Sequence, residues 1–415
     1  MHVSRNFAPI AAVGLALTFP NAFGQGNLEK LQDFKQTGTA LEIETVPQTG
    51  AKVAAIRRNL ERIALPKGFQ IELYAVVPDA RHMAVGRNVG AVFVGTRKTK
   101  VWVATDRDKD RVADEVKQFA PSVNFKFPNG VCFSKDGFLY IAEHNRLVVF
   151  PAAEFFYEGP DVAIGVVKEQ FVPPEEEYFN HAFRVCTIGP DDKLYISMGQ
   201  PYNVFPAEKL PMEPLGSIVR LNRDGSGWEV YATGIRNSVG IAFNPANGEL
   251  WFTDNQVDGM GDDIPPGELN RAPQAGLNFG HPWYGGGKVR TNEYQDVEPP
   301  ADVVFPEVEM DAHAADLGLT FYDKTQFPAK YRGGIFSAQH GSWNRTTPIG
   351  ARIMFTSLNA EGGAESTEVF AHGWLDADTG EYLGRPVDVQ VYLDGSLLVS
   401  DDLAGAIYRI WYAGE

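Results

Sequence analysis

At 415 residues, with 44% hydrophobic residues, 12% aromatics and a formal charge of -16, the chain has the material for a large core and an acidic surface. Such a charge repels rather than attracts nucleic acid and anionic lipid, so neither is an expected partner. The 42 Gly and 27 Pro, spread along the whole length, signal many turns and short strands, an all-β class in which one domain can occupy most of a chain.

The N-terminus carries Arg5, an apolar run from Phe7 to Phe19 and small residues around Ala22-Phe23-Gly24. This is the layout of an export signal, residues 1–24, with cleavage expected near Gly24 to leave Gln25 first and a secreted or periplasmic protein. The run is too short to span a bilayer, and no later segment offers about 18 consecutive apolar residues. Residues 25–64 form an N-terminal extension, polar and irregular at first. Over residues 51–65 the spacing of Val53, Ile56, Leu60 and Ile63 predicts one amphipathic helix.

From residue 65 to 415 the texture changes to strand, tight turn, strand, and this unit repeats. Residues 83–103 are a degenerate first copy. Clear copies follow at 130–142 around Asp136-Gly137, 183–198 around Pro190-Asp191-Asp192, 239–253 around Asn247-Gly248 and 387–400 around Asp394-Gly395. Residues 317–338 are another, with Gln326-Phe327-Pro328 in place of the turn. Asn-Gly and Asp-Gly supply the positive φ angles of a two-residue hairpin. Six hairpins at spacings of roughly 50 residues predict a six-bladed β-propeller with a short N-terminal helical extension. The last strand, Ile407-Tyr408-Arg409-Ile410-Trp411, is expected to pair with the first blade and close the ring. The two cysteines, Cys132 and Cys186, lie in apolar strands and read as buried free thiols.

After the first copy comes Asp106-Arg107-Asp108-Lys109-Asp110-Arg111-Val112-Ala113-Asp114. Carboxylates at alternate loop positions, here Asp106, Asp108 and Asp110 with Asp114, can converge on one Ca²⁺, although Arg111 stands where an EF-hand loop has glycine. Ligands of propellers sit over the channel, where blade entries converge, and three entries carry informative residues. These are Asn180-His181-Ala182-Phe183-Arg184, Gly234-Ile235-Arg236-Asn237 and Gly384-Arg385-Pro386-Val387. Arg184, Arg236 and Arg385 with His181 predict a cationic funnel for a polyanionic small ligand.

These entries, with Asp254-Asn255-Gln256-Val257-Asp258, Asn278-Phe279-Gly280-His281-Pro282-Trp283 and Gln339-His340-Gly341-Ser342-Trp343-Asn344-Arg345, resemble the soluble pyrroloquinoline quinone (PQQ)-dependent glucose/sorbosone dehydrogenases, in the sorbosone branch. The resemblance covers most of residues 65–415. It implies a quinoprotein that oxidises a sugar, sugar aldehyde or related alcohol at Ca²⁺-bound PQQ and passes electrons to an external acceptor such as a cytochrome c. It also implies His181 as the general base, Arg236 and Asn237 on the quinone and its developing oxyanion, and Arg385 and Arg352 on its carboxylates. By the same resemblance Asn255 lies at the cofactor, Gln256 and Val257 supply backbone carbonyls to Ca²⁺, and His313, His340 and Trp343 line the substrate side.

Two positions depart from the family: Gln200 replaces the acid that orients the histidine, and Val387 replaces a second arginine, which points away from glucose. Gln200 is placed on the substrate side. A calcium-dependent lactonase-type hydrolase and a non-catalytic binding propeller are the alternatives, the former requiring carboxylates rather than arginines at the channel. Gly285-Gly286-Gly287-Lys288 lacks the frame of a phosphate loop. His-Glu-x-x-His, Gly-x-Ser-x-Gly, Gly-x-Gly-x-x-Gly after a strand and Cys-x-x-Cys-His are all absent, which removes the zinc-peptidase, serine-hydrolase, nicotinamide and covalent-haem readings.

Overall fold

Short alternating runs cut by turn residues can build only small sheets: six form on four antiparallel strands each, two of them carrying a fifth strand, beside a separate two-stranded ribbon of Tyr284–Gly286 and Val289–Arg290. The computed structural model describes residues 41–414 and the backbone of Lys35–Gln36. The export signal, the Gln25 start and the beginning of the extension lie outside the described residues. The innermost strands are Met83–Val85, Gly130–Phe133, Cys186–Ile188, Gly240–Phe243, Asp316–Phe321 and Pro386–Val391. Each touches the next and the last touches the first, so the sheets become blades 1 to 6 of a six-bladed β-propeller around a channel. The hairpin turns form where the sequence places them, with left-handed φ at Gly137, Asp192, Gly248 and Gly395. In blade 5 the Gln326-Phe327-Pro328 segment replaces a tight turn by burying Phe327 completely, stacked on Tyr322 at 4.4 Å.

Closure differs from the sequence expectation. Ala406–Tyr412 stays in blade 6 beside Leu397–Asp401, and the outer strand of that blade comes from the N-terminal side, Phe69–Val76. Its register runs from Phe69 opposite Tyr412 to Val76 opposite Ala406, so the two ends of the propeller chain are zipped into one sheet. The alternating apolar residues of residues 69–76 satisfy that pairing, and an edge is removed at the ring seam. The helix α1 (Ala51–Leu60) is shorter than its pattern. Val53, Ile56 and Leu60 pack into the aromatic core of blades 5 and 6 with Phe69, Phe336 and Trp374. The chain then turns so that the Ala64 N–H reaches the His372 carbonyl at 2.8 Å, and Pro66 bars further helix.

The free-thiol reading of the cysteines is overturned. Cys132 and Cys186 form a disulfide between the innermost strands of blades 2 and 3, with Cα atoms 5.9 Å apart. Adjacent inner strands lie in contact here because residue 130 is glycine: a Cβ there would stand 2.6 Å from the Arg184 carbonyl oxygen. Both cysteines line a cavity of about 680 Å³ that runs along the inner strands below the site described next.

Candidate active site

At the end of the channel where the inner strands begin lies a second cavity, of about 310 Å³. Its apolar walls come from Phe183, Val239, Ala315 and Leu317, and its polar groups from blade entries and the loops that follow the second strands. His181 enters from blade 3 with a left-handed φ of 56°. Its Nδ1 lies 2.5 Å from the Gln200 carbonyl oxygen, an acceptor only, so Nδ1 carries the proton and Nε2 is left as a bare base. Burial and the neighbouring Arg236 charge lower its pKa to about 3, so the ring is neutral at any ordinary pH.

Arg236 is buried and held on four sides. Nε and Nη2 donate to the carbonyl and side-chain oxygens of Asn203 at 2.8 and 2.9 Å, Nη1 to the Asn255 carbonyl at 3.2 Å, and Nη2 to Asp258 at 2.9 Å. The backbone N–H groups of Arg236 and Asn237 both donate to Asp254, at 2.9 and 2.6 Å. Asp254 and its cross-strand partner Glu268 are buried together, and desolvation raises both carboxyl pKa values. Glu268 accepts from the Gly287 N–H at 2.7 Å, and the Val257 N–H donates to Gly285. The glycine run is therefore a platform beneath the 254–258 loop. Its lack of side chains allows this: a Cβ at Gly286 would stand 2.5 Å from the Pro266 carbonyl oxygen.

Asn255, Gln256, Asn237 and Trp343 line the cavity with His181 and Arg236. Asn255 Nδ2 bridges the carbonyls of Asn237 and Asp316 at 3.0 Å each. Among the described residues the Asn237 side chain has no hydrogen-bond partner. Trp343 is 76% exposed and forms the rim. His313 and His340 also line the cavity; both ring nitrogens of His313 are occupied, whereas only Nε2 of His340 is. His313 Nε2 donates to the Gly261 and Ile264 carbonyls at 2.8 and 3.0 Å, and its Nδ1 accepts from Asn344 at 3.2 Å. His340 Nε2 donates to Asp402 at 2.9 Å, and burial lowers its pKa to about 4.

The cationic funnel is smaller than the repeats suggest. Arg184 is buried behind the wall, its Nε on the His144 carbonyl at 3.1 Å and its Nη1 on the carbonyls of Gly199 at 3.2 Å and His181 at 3.4 Å. Arg385 stacks on Tyr382 and donates to the carbonyls of His340 and Gly341. Arg352 is occupied by Gln339 and Asp311. None of the three lines the cavity; backbone carbonyls and neighbouring side chains satisfy their donors first. The Gln200 side chain is also withdrawn, fully buried against Tyr202 and His281, and only its backbone carbonyl serves the site. Val257 lies outside the cavity lining, with its side chain buried. Asp110 is not among the acids whose oxygens converge, and it accepts from the Val112 N–H at 2.8 Å.

Four lining residues escape the sequence reading. Arg81, at the entry of blade 1, is buried and bonded to Asp402 at 3.0 Å and Asn129 at 3.0 Å. Its position before the first repeat was the available signal. Asp258 and Asn344 sit inside the two motif runs and pair with each other at 2.7 Å. Asp316 is buried with a pKa raised to about 7 by desolvation, and nothing in its sequence context marks it. Asp316 Oδ2 and Asn344 Oδ1 are buried acceptors without a partner among the described residues. They are what a ligand, a cation or water would satisfy.

Residues 170–344, which carry His181, Arg236, the 254–258 loop and Asn344, match the family model for glucose/sorbosone dehydrogenase. Over those residues the chain is similar to the glucose/sorbosone dehydrogenases. An uncharacterised protein of Borreliella burgdorferi is 29% identical over 362 residues, covering 84% of this chain and 91% of that one. Two solved structures share the fold. One is a carbohydrate-active enzyme of family AA12 from Trichoderma reesei, with a TM-score of 0.71, 19% identity and coverage of 85% and 98%. The other is the holo form of the pyranose dehydrogenase PQQ domain from Coprinopsis cinerea, with a TM-score of 0.68, 16% identity and coverage of 84% and 97%.

Proposed function

We propose that the domain is a PQQ- and calcium-dependent dehydrogenase that oxidises a sugar, a sugar aldehyde or a related alcohol, with His181 as general base. The observation that carries this reading is the His181 tautomer. Nδ1–H is fixed on the Gln200 carbonyl, and an unprotonated Nε2 belongs to a ring lining a buried cavity beside Arg236. The cavity fits a flat, polar quinone in its donor set. Apolar walls flank it, Asn237 has an unused amide, and Arg236 keeps one Nη1 hydrogen outside its four contacts. Arg236, Asn237 and Asn255 would hold the quinone, with Arg81 as a second positive charge on the wall. The unpartnered oxygens of Asp316 and Asn344 suit a hard cation, to which Gln256 and Val257 would add main-chain carbonyls. When bound, the quinone accepts hydride as a two-electron acceptor and Ca²⁺ polarises it.

The chain's own part is to position and to move one proton. A substrate hydroxyl at Nε2 gives up its proton to a ring that Gln200 prevents from rotating, and Arg236, anchored by Asn203 and Asp258, holds fixed positive charge where negative charge grows. Electrons then pass to an external acceptor, a soluble cytochrome c being the natural class. Export fits the Cys132–Cys186 disulfide, since such bonds persist in oxidising compartments.

The test is addition of PQQ and Ca²⁺ to apoprotein, followed by spectroscopy and dye reduction with sugars, aldehydes and polyols. Quinone binding with turnover is expected, and His181→Ala should keep the quinone while losing turnover by roughly 10²- to 10⁴-fold. No quinone binding would end the reading. A calcium-dependent hydrolase draws support from two acids, Asp258 and Asp316, in the cavity lining. Lactone hydrolysis with Ca²⁺ alone would select it.

A further inference from the structure

The loop joining Val101–Thr105 to Glu115–Phe119 in blade 1 lies apart from the site above and brings three carboxylates together. One oxygen each from Asp106, Asp108 and Asp114 lies within 4.8 Å of the others. An acidic turn of this kind is ordinary on a protein surface, but Asp106 is not at the surface: it is 7% exposed, and its Oδ1 is buried without a partner. A buried carboxylate oxygen with nothing to accept from is costly, and a bound cation removes that cost. Thr105 Oγ1, next in the chain, is buried and unpartnered as well.

The loop supplies no internal cation to do this. Arg107 is turned to Glu115 and Glu158, at 3.1 and 2.6 Å, and Arg111 to Asp394 at 3.0 Å. Among the described residues no basic side chain forms an ion pair with Asp106, Asp108 or Asp114. Backbone N–H groups meanwhile fix one oxygen of each acid: Arg111 to Asp106 Oδ2 at 3.1 Å, Asp110 to Asp108 Oδ1 at 3.1 Å and Arg107 to Asp114 Oδ2 at 2.6 Å. The three carboxylates are thus held in place without a counter-charge.

The geometry points to a structural calcium site at Asp106, Asp108 and Asp114, separate from the catalytic cavity. Oxygen-only ligands on a turn suit a hard, large divalent ion. The ion fixes the loop whose Arg111 reaches Asp394, and Asp394 is also bound by Arg409 at 2.9 Å. Arg409 belongs to the last strand and Asp394 to the hairpin turn of blade 6, so the ion braces blade 1 against the blade that closes the ring.

The test uses the full chain stripped with chelator and no quinone, so that it stands whether or not the dehydrogenase reading holds. Calcium is titrated by calorimetry into wild type and Asp106→Asn/Asp108→Asn. The variant should bind one equivalent fewer and lose a rise in Tm that grows with free calcium in the wild type. Tb³⁺ in place of Ca²⁺ should give tyrosine-sensitised emission that the variant lacks. If the double variant does not fold, Asp108→Asn alone, at an exposed position, should bind at least tenfold more weakly. Equal stoichiometry and affinity in wild type and variants, or no calcium bound by wild type, would overturn the proposal.

Discussion

Removing the Cys132–Cys186 bridge is the cleanest perturbation of the ring itself. The cross-link closes a chain separation of 54 residues, the length of one blade repeat. Loop-closure entropy for that length gives about 4 kcal/mol of stabilisation. A domain of roughly 370 ordered residues melts with an entropy near 0.8 kcal/mol per kelvin, so the loss should lower Tm by about 5 °C. Either cysteine changed to alanine removes the whole cross-link, so Cys132→Ala, Cys186→Ala and the double variant should all show nearly the same fall. Melting by calorimetry in the absence of reductant reads this directly, and thiol titration of the unfolded, unreduced wild type should find none. Two titratable thiols, with single-variant effects that are small and simply add, would refute the cross-link and restore the free-thiol reading.

Other predictions rest on the site and its walls. Gly130→Ala forces a Cβ to 2.6 Å from the Arg184 carbonyl oxygen and should cost about 1–3 kcal/mol, with activity falling because Arg184 supports the His181 backbone. Arg236→Lys keeps the charge but loses the fork to Asn203 and Asp258, so kcat/KM should fall by on the order of 10²-fold while Tm drops, and kinetics with the natural charge retained will show it. The pH dependence of stability has two opposed parts. Burial lowers His82 and His181 to about 3 and His340 to about 4, so their contribution is complete above the unfolded value and is lost as pH falls from about 6.5 toward 3. Burial raises Asp316 and Asp388 to about 7, so their contribution is complete below about pH 4 and is lost as pH rises through 7. Between pH 6.5 and 8 Asp316 and Asp388 each cost about 0.8 kcal/mol, the buried Glu268, raised by desolvation, adds to the loss, and each histidine returns only about 0.4 kcal/mol, so Tm should fall over that range, less so in Asp388→Asn. A fall in Asp388→Asn equal to that of wild type would show Asp388 to be ionised in the folded protein.

Most of the fold is legible because its signals are local. Asp136-Gly137, Asn247-Gly248 and Asp394-Gly395 each fix a hairpin within a few residues, and six hairpins in succession, spaced unevenly by insertions, leave little but a ring. What the local pattern does not carry is which strands meet across a long separation. Phe69–Val76 and Ala406–Tyr412 pair over almost the entire propeller, and either could extend an edge, so their pattern does not say which blade the pair completes. The disulfide is hidden for the same reason: each cysteine looks like an ordinary apolar strand residue until the two inner strands are laid side by side.

The candidate site shows the same division between place and direction. Repeat position tells which residues stand at the mouth of the channel, and His181, Arg236, Asn237, Asn255 and Gln256 are there. It does not tell where a long, flexible guanidinium turns once packed. Arg184, Arg352 and Arg385 all begin near the mouth and all end on acceptors within the protein wall. Charge balance explains why Arg236 differs. Its acid, Asp258, stands on the cavity side and is itself tied to Asn344 across the opening, so pairing keeps the guanidinium at the lining instead of drawing it away. The oriented histidine follows a related logic. An acid at position 200 would fix the ring by charge, whereas here the main-chain carbonyl of Gln200 fixes it and the ring stays neutral beside Arg236. Any residue at 200 can offer that carbonyl, so the side chain was free to become a buried brace between Tyr202 and His281. Gln200→Ala should therefore leave the Nδ1 contact intact and act through loss of that brace, lowering stability by the cost of three buried hydrogen bonds, about 2–4 kcal/mol, while the pH profile of turnover keeps its shape. A shifted acid limb in Gln200→Ala would show instead that the amide, not the carbonyl, sets the state of His181.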